Sequence, residues 1–261
     1  MSHALSGLSV LVTRPMPQAA MLADRLREEG VIPIVFPGIR IELVQDAKVA
    51  ESVRTAREAH ILVFVSPTAV GAAMPMIRAA GGLPATTQVA AIGPGTARAL
   101  REHGIGEVIM ATEGHDSEAL ADHPVLQDVA GKRIALIRGV GGRALLADTL
   151  RDRGALLELV ECYRRLPPTD RLTDALSEWS AAPKLAWSAT SAEILDNLFA
   201  LAGEASSAML RSQVLLVPHA RIAARAFTYG VARILVTGPG DVGLVSGLNV
   251  WFGKQRPLKS T

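Results

Sequence analysis

Residues 22–30 read LADRLREEG and residues 146–154 read LADTLRDRG, identical at six of nine positions with a constant offset of 124. An internal repeat constrains the fold more than any other feature here, because a repeated sequence implies a repeated structural unit. The flanks extend it. SVLVTRPMPQAAM precedes the first copy and RIALIRGVGGRAL the second; VIPIVFP and ALLELVE follow them. Each passage reads as strand, arginine (Arg14 or Arg138), Pro- or Gly-rich turn, helix, glycine, strand. The pattern continues downstream. FVSPTA at 64–69 aligns with WSATSA at 187–192, QVAAIGPGTARALREHGI at 88–105 with QVLLVPHARIAARAFTYGV at 213–231, and VIMATEGHD at 108–116 with ILVTGPGD at 234–241.

Apolar, β-branched runs recur at 60–65, 88–92, 107–110, 184–188, 213–217 and 233–237, with Ala-rich helical stretches between them. Alternating strands and helices predict βαβ units and parallel sheets. Nearly continuous hydrophobicity along each strand predicts helices on both faces. The expectation is an α/β chain of two five-stranded domains. Two divisions fit: a cut near residue 130, or an exchange between domains at FPGIRIEL (36–43) and VECYRRLPP (160–168). These equivalent extended segments could pair as an antiparallel hinge. Periodicity does not choose between them.

Composition removes several function classes. A net charge of +2 with 4% aromatic residues lacks the basic and stacking surfaces of a nucleic-acid binder. The single cysteine, Cys162, forms no internal disulfide and suits a reducing compartment. No apolar run reaches the length needed to span a bilayer, and the N-terminus lacks a leader pattern. A cytoplasmic protein with no membrane partner is expected, with a polar, basic tail that frays. The histidines show no metal-ligand spacing: His115 and His123 are eight apart, and no HExxH occurs.

Ligands of open α/β sheets bind beyond the carboxyl ends of strands, where helix N-termini favour anions. Five turns fit that position: Ser66-Pro67-Thr68, the Gly93-Pro94 turn, the Gly139, Gly141, Gly142 and Arg143 loop, Thr190-Ser191, and the turn carrying His219 and Arg221. Ser66, Thr190, Ser191 and His219 have a plainer role as helix caps. Arg14 and Arg138 could each hold a carboxylate in a fork or bond a neighbouring loop. Arg143 and Arg221 are further carboxylate candidates. GVGGRA also fits a dinucleotide fingerprint, with Glu158 and Glu161 about 20 residues on. Its repeat partner RPMPQA has no glycine, so the architecture does not require that motif.

Taken in order, VLVTRP, FVSPTAV at 64–70, AAIGPGTARAL at 90–100, GKRIALIRGVGGRALLADTLRDRGA at 131–155 and VECYRR at 160–165 resemble the uroporphyrinogen-III synthase family. The resemblance implies two flavodoxin-like domains joined by a two-stranded β-ladder, residues 1–38 with 166–261 and residues 39–165, around a cleft. It implies a cofactor-independent lyase that takes hydroxymethylbilane, removes its terminal hydroxyl as water, inverts the last ring through a spiro intermediate and closes the macrocycle. Catalysis would rest on positioning and transition-state binding. Val65 replaces the family's usual threonine, and Ala189-Thr190 align with Ser66-Pro67. Hydroxyl contacts then fall to Ser66, Thr68, Ser188, Thr190 and Ser191. Tyr163, in the second crossover, matches a family tyrosine proposed as proton donor; the competing role is a hinge-packing aromatic with a solvated hydroxyl. A monomer receiving substrate from the preceding pathway enzyme is expected. A non-catalytic module for a small anion and a nucleotide-dependent dehydrogenase are the alternatives.

Overall fold

The computed structural model describes residues 5–111, 114 and 116–253. Met1–Ala4, Thr112, Glu113, His115 and the tail at 254–261 lie outside them. The chain opens with β1 (Leu8–Val12), α1 (Gln18–Glu28) and β2 (Ile32–Val35). The middle contains β3 (Arg40–Leu43), α2 (Ala47–Ala56), β4 (Ile61–Phe64), α3 (Pro67–Ala79), β5 (Gln88–Ala91), α4 (Pro94–Glu102), α5 (Ser117–Ala121), β6 (Arg133–Gly139), α6 (Leu145–Asp152) and β7 (Leu156–Leu166). It closes with α7 (Leu172–Trp179), β8 (Lys184–Ser188), α8 (Ala192–Leu201), α9 (Glu204–Ser212), β9 (Val214–Val217), α10 (Ala220–Thr228), β10 (Ile234–Val236) and α11 (Gly240–Gly253).

Two compact units result: Met1–Ile41 with Leu166–Thr261, and Glu42–Arg165. Each has a five-stranded sheet, ordered β10-β9-β8-β1-β2 in the first and β3-β7-β6-β4-β5 in the second. Read from its edge, the first follows the flavodoxin-like order 2-1-3-4-5. The second arranges equivalent strands in the same order but enters them elsewhere: its β4 and β5 precede its βαβ. The repeat explains this, because β1-α1-β2 and β6-α6-β7 are the two copies. Their registers agree residue for residue, with Ser9 opposite Ile32 and Arg133 opposite Leu156.

The nine-residue repeat has a local physical meaning. Leu22, Ala23 and Leu26 of α1 are buried, as are Leu146, Ala147 and Leu150 of α6, so the identical apolar residues face the core. Each copy ends on a glycine with positive φ, 75° at Gly30 and 80° at Gly154. Their N–H groups donate to Arg27 and Arg151, and the following Val31 and Ala155 donate to Leu26 and Leu150. This paired closure of a helix end needs a left-handed residue, hence glycine.

One expected strand is reduced. Of 107–110, only Ile109 joins the second sheet, through an isolated bridge to Ala90. The sheet still has five strands because β3 adds to its opposite edge beside β7. Val44 N–H donates to Cys162 O at 3.0 Å, and Arg164 lies 3.6 Å from Glu42. In the first unit, side chains alternate across the sheet. Leu8, Val10 and Val12 join one core with Leu22 and Leu26. Leu11 joins the other with Trp179 and Trp187. The second unit's core gathers Ile61, Val63, Leu136, Leu146 and Leu150.

Registers also correct the alignment of the loops. Val12 lies opposite Ser188, and Leu136, its repeat partner, lies opposite Val63. Ser188 therefore corresponds to Val63, and the residue equivalent to Ser66 is Ser191. Both cap a helix in the same way: the Ser66 side chain accepts from Ala69 N–H and that of Ser191 from Ile194 N–H. Matching the letters had placed Ala189-Thr190 against Ser66-Pro67; the strand pairing moves the match by two residues.

Candidate functional site

In the second unit, the carboxyl ends of β4, β5, β6 and β7 bring together the first set of candidates. Ser66 is extended (φ −159°) and follows β4 as the cap of α3, with Pro67 opening the helix. Gly93 is the corresponding cap residue of α4, followed by Pro94. A proline there loses no helical hydrogen bond, since the first N–H groups are unpaired in any helix. A Cβ added at Gly95 would come within 3.7 Å of Pro67, so the two helix starts are neighbours. Thr68 and Gly93 are half-buried and Pro94 is exposed. The rim therefore presents two adjacent helix N-termini, which favours carboxylates.

Tyr163 is 3% exposed. Its hydroxyl lies 3.0 Å from Ser66 Oγ, so a protein hydroxyl partners it. Its ring packs on Gly139, where a Cβ would meet Cε2 and Cζ at 2.7 Å. That close approach explains one glycine of the loop. Another, Gly142, leaves room for Arg138: a Cβ would lie 2.5 Å from Nη2. Gly141 has φ of 68°, a conformation suited to glycine.

Arg138 does not present a free fork. It is 6% exposed, and its guanidinium turns back on its own loop. Nε donates to Gly139 O and Nη1 to Arg143 O, each at 3.3 Å, while Glu161 lies 3.8 Å away. Arg143 is exposed and pairs with Glu118 at 3.3 Å. Cys162 is buried, and burial pushes its thiol up to about 12, so it is not a thiolate nucleophile at neutral pH.

The first unit distributes its candidates differently. Arg14 is ion-paired with Asp241 in the first turn of α11. Ser188 is fully buried inside the sheet, its hydroxyl donating to Leu11 O at 3.4 Å; it is not at the rim. Thr190 is half-buried in the turn that follows. Ser191 caps α8, accepting from Ile194 N–H at 3.2 Å. His219 caps α10 through Nδ1, which accepts Arg221 N–H at 3.1 Å. Arg221 is exposed. Sequence reasoning did not single out Asp241 or Glu118, the carboxylates paired with Arg14 and Arg143. The repeat held one signal, since GHD and GPGD align at the start of corresponding helices.

Among the described residues, no group of three His, Cys, Asp or Glu could hold a metal, and no helix is long and apolar enough to cross a membrane. Comparison with known proteins fits this geometry into a family. The family model described as uroporphyrinogen-III synthase HemD matches residues 20–239. The chain belongs to the uroporphyrinogen-III synthase family. Its relatives include the uroporphyrinogen-III synthase of Salmonella typhimurium, 32% identical over 238 residues, covering 90% of this chain and 96% of that one. That of Escherichia coli K12 is 33% identical over 196 residues, covering 74% and 80%. A mutant uroporphyrinogen III synthase from the extremely thermophilic bacterium Thermus thermophilus superposes with a TM-score of 0.62 at 22% identity, covering 95% of this chain and 100% of that one. The Helicobacter pylori 26695 uroporphyrinogen-III synthetase gives 0.57 at 12%, covering 95% and 99%. At these identities the two structures speak for the fold. In this member of the uroporphyrinogen-III synthase family, the glycine loop after β6 closes around its own Arg138 and Tyr163, the use its close approaches require.

Proposed function

We propose that this chain converts hydroxymethylbilane to uroporphyrinogen III, releasing water and inverting the last pyrrole ring. The observation that carries the proposal is the family match along nearly the whole chain, at 32% identity to the Salmonella protein. The enzyme is a cyclising lyase of tetrapyrrole biosynthesis. Its domains are residues 1–41 with 166–261, and 42–165, three residues beyond the boundary expected at 38/39, because Ile39 belongs to the first unit's core. It works in the cytoplasm as a monomer, without metal or organic cofactor, taking its substrate by transient handover from the preceding enzyme.

The chemistry of the rim supports this reading. The substrate carries an acetate and a propionate on every ring, and the helix starts at Ser66, Gly93, Ser191 and His219 offer N–H groups and positive potential to carboxylates. In the reaction, Tyr163 gives its phenolic proton to the departing hydroxyl as the C–O bond breaks. The cation left on the substrate loses a proton once the macrocycle has closed, and that proton returns to the phenolate. The wrong, uninverted isomer forms from free substrate unaided. The protein therefore acts largely by holding a flexible molecule in one conformation. Incubation with freshly made hydroxymethylbilane, without added cofactor, followed by isomer analysis, tests the proposal. The inverted isomer, formed faster than spontaneous closure, is expected; only the uninverted macrocycle at the spontaneous rate would overturn it.

A further inference from the structure

Along β6 and β7, Arg138 lies opposite Glu161, and the next pair is Gly139 with Tyr163, so Cys162 is an extra residue in β7. Such a bulge breaks the alternation of side chains and can re-aim one near a site. Cys162 and Tyr163 are consecutive and both buried, as that break requires. The bulge thus turns the Tyr163 ring inward, onto the bare backbone of Gly139. Its hydroxyl then meets the side chain of Ser66, the cap of α3.

Ser66 Oγ already accepts the Ala69 N–H at 3.0 Å, in the first turn of α3. That leaves its own proton available to the phenolic oxygen. In the resting state either hydroxyl can donate to the other. Once Tyr163 has lost its proton, only Ser66 can donate. The N-terminus of α3 polarises the serine in the favourable sense.

We propose that Ser66 is a positioning residue for Tyr163: it fixes the direction of the phenol and donates a hydrogen bond to the oxygen that becomes negative as water departs. No proton leaves Ser66. The Tyr163 O–H bond breaks, its proton completes the departing water, and the phenolate recovers a proton from the substrate after closure. The proposal rests on the reading of Tyr163 as the proton donor.

The test is steady-state kinetics with hydroxymethylbilane on Ser66→Ala, Ser66→Gly, Ser66→Thr, Tyr163→Phe and the double variant Ser66→Ala/Tyr163→Phe. Glycine caps a helix nearly as well as serine, so it separates the cap from the hydroxyl. Ser66→Ala and Ser66→Gly should both lower kcat by about 3- to 10-fold, the worth of one hydrogen bond, with KM changed less than twofold. Ser66→Thr should restore kcat to within about twofold, because it returns a hydroxyl. In the double variant, losing Ser66 should add nothing to the effect of Tyr163→Phe, since the two act as one unit. If Tyr163→Phe lowers kcat but the serine effect persists undiminished in the double variant, the proposal falls while the tyrosine reading stands. If Tyr163→Phe turns over like the unaltered enzyme, the tyrosine reading falls first. A Ser66→Gly variant with unaltered kcat would reduce Ser66 to a helix cap.

Discussion

The two units share the order of four equivalent strands and a capping serine, Ser66 in one and Ser191 in the other. They differ in what stands beside that serine. In the second unit a bulge in β7 brings Tyr163 to it. At the repeat's offset of 124, Tyr163 falls on Ile39, a buried residue of the first unit's core. The equivalent arginines diverge as well: Arg14 pairs with Asp241, and Arg138 folds into its own loop. Duplication has preserved the scaffold and its capped helix starts, whereas the tyrosine proposed as proton donor occurs in the second unit only.

The largest expected effect lies on the arginines. Arg14→Ala leaves the Asp241 carboxylate, with a side chain 5% exposed, without its cation. It should cost about 3 kcal/mol of stability, the lower end for breaking a buried pair. Thermal unfolding of Arg14→Ala, beside a milder loss for Arg138→Ala, would sharpen the contrast; equal losses would blur it. Next is the phenol. Tyr163→Phe should lower kcat by about 10- to 100-fold and release more of the uninverted isomer. Gly139→Ala should reproduce much of that effect, because its Cβ would strike the ring at 2.7 Å. Overpacking there costs about 1–3 kcal/mol, visible in denaturant unfolding.

Smaller effects compare the caps. Ser66→Ala and Ser191→Ala should each cost about 1 kcal/mol of stability, but only the first should lower kcat. A matching kcat loss in Ser191→Ala would make the two rims alike and break the comparison. The smallest effect is on Cys162. Its thiol stays protonated until the pH approaches about 12, so alkylation of the folded protein at pH 8 should be negligible and should rise only on unfolding. Mass spectrometry after reaction with iodoacetamide reads this directly.

The repeat made the fold legible, because identical residues at one offset point to identical helices whatever the distant contacts. The strand at 107–110 was over-read: three apolar letters resemble a strand, but the ladder engages Ile109 alone. Turn residues were visible as turn residues. Which serine matched Ser66 was not, since letter alignment ignores the strand register that places Ser191 there. Arg14 and Arg138 looked alike because their local surroundings are alike. Asp241 lies 227 residues from Arg14, beyond the reach of any local pattern. The bulge at Cys162 was hidden for a related reason: a strand shows its extra residue only against its partner.

The interleaved connectivity bears on how the chain is made. β1, α1 and β2 leave the ribosome before the second unit, yet β1 pairs with β8, which is synthesised only after the whole second unit. The second unit is one continuous stretch and can complete its sheet while the rest is still being made. Closing a flexible loop of that length would cost on the order of 4 kcal/mol in chain entropy. Folding of the second unit removes much of that cost, because Glu42 and Arg164, at its two ends, come to lie 3.6 Å apart. The inserted unit thereby acts as an intramolecular clamp, delivering the late segment to strand partners synthesised before it.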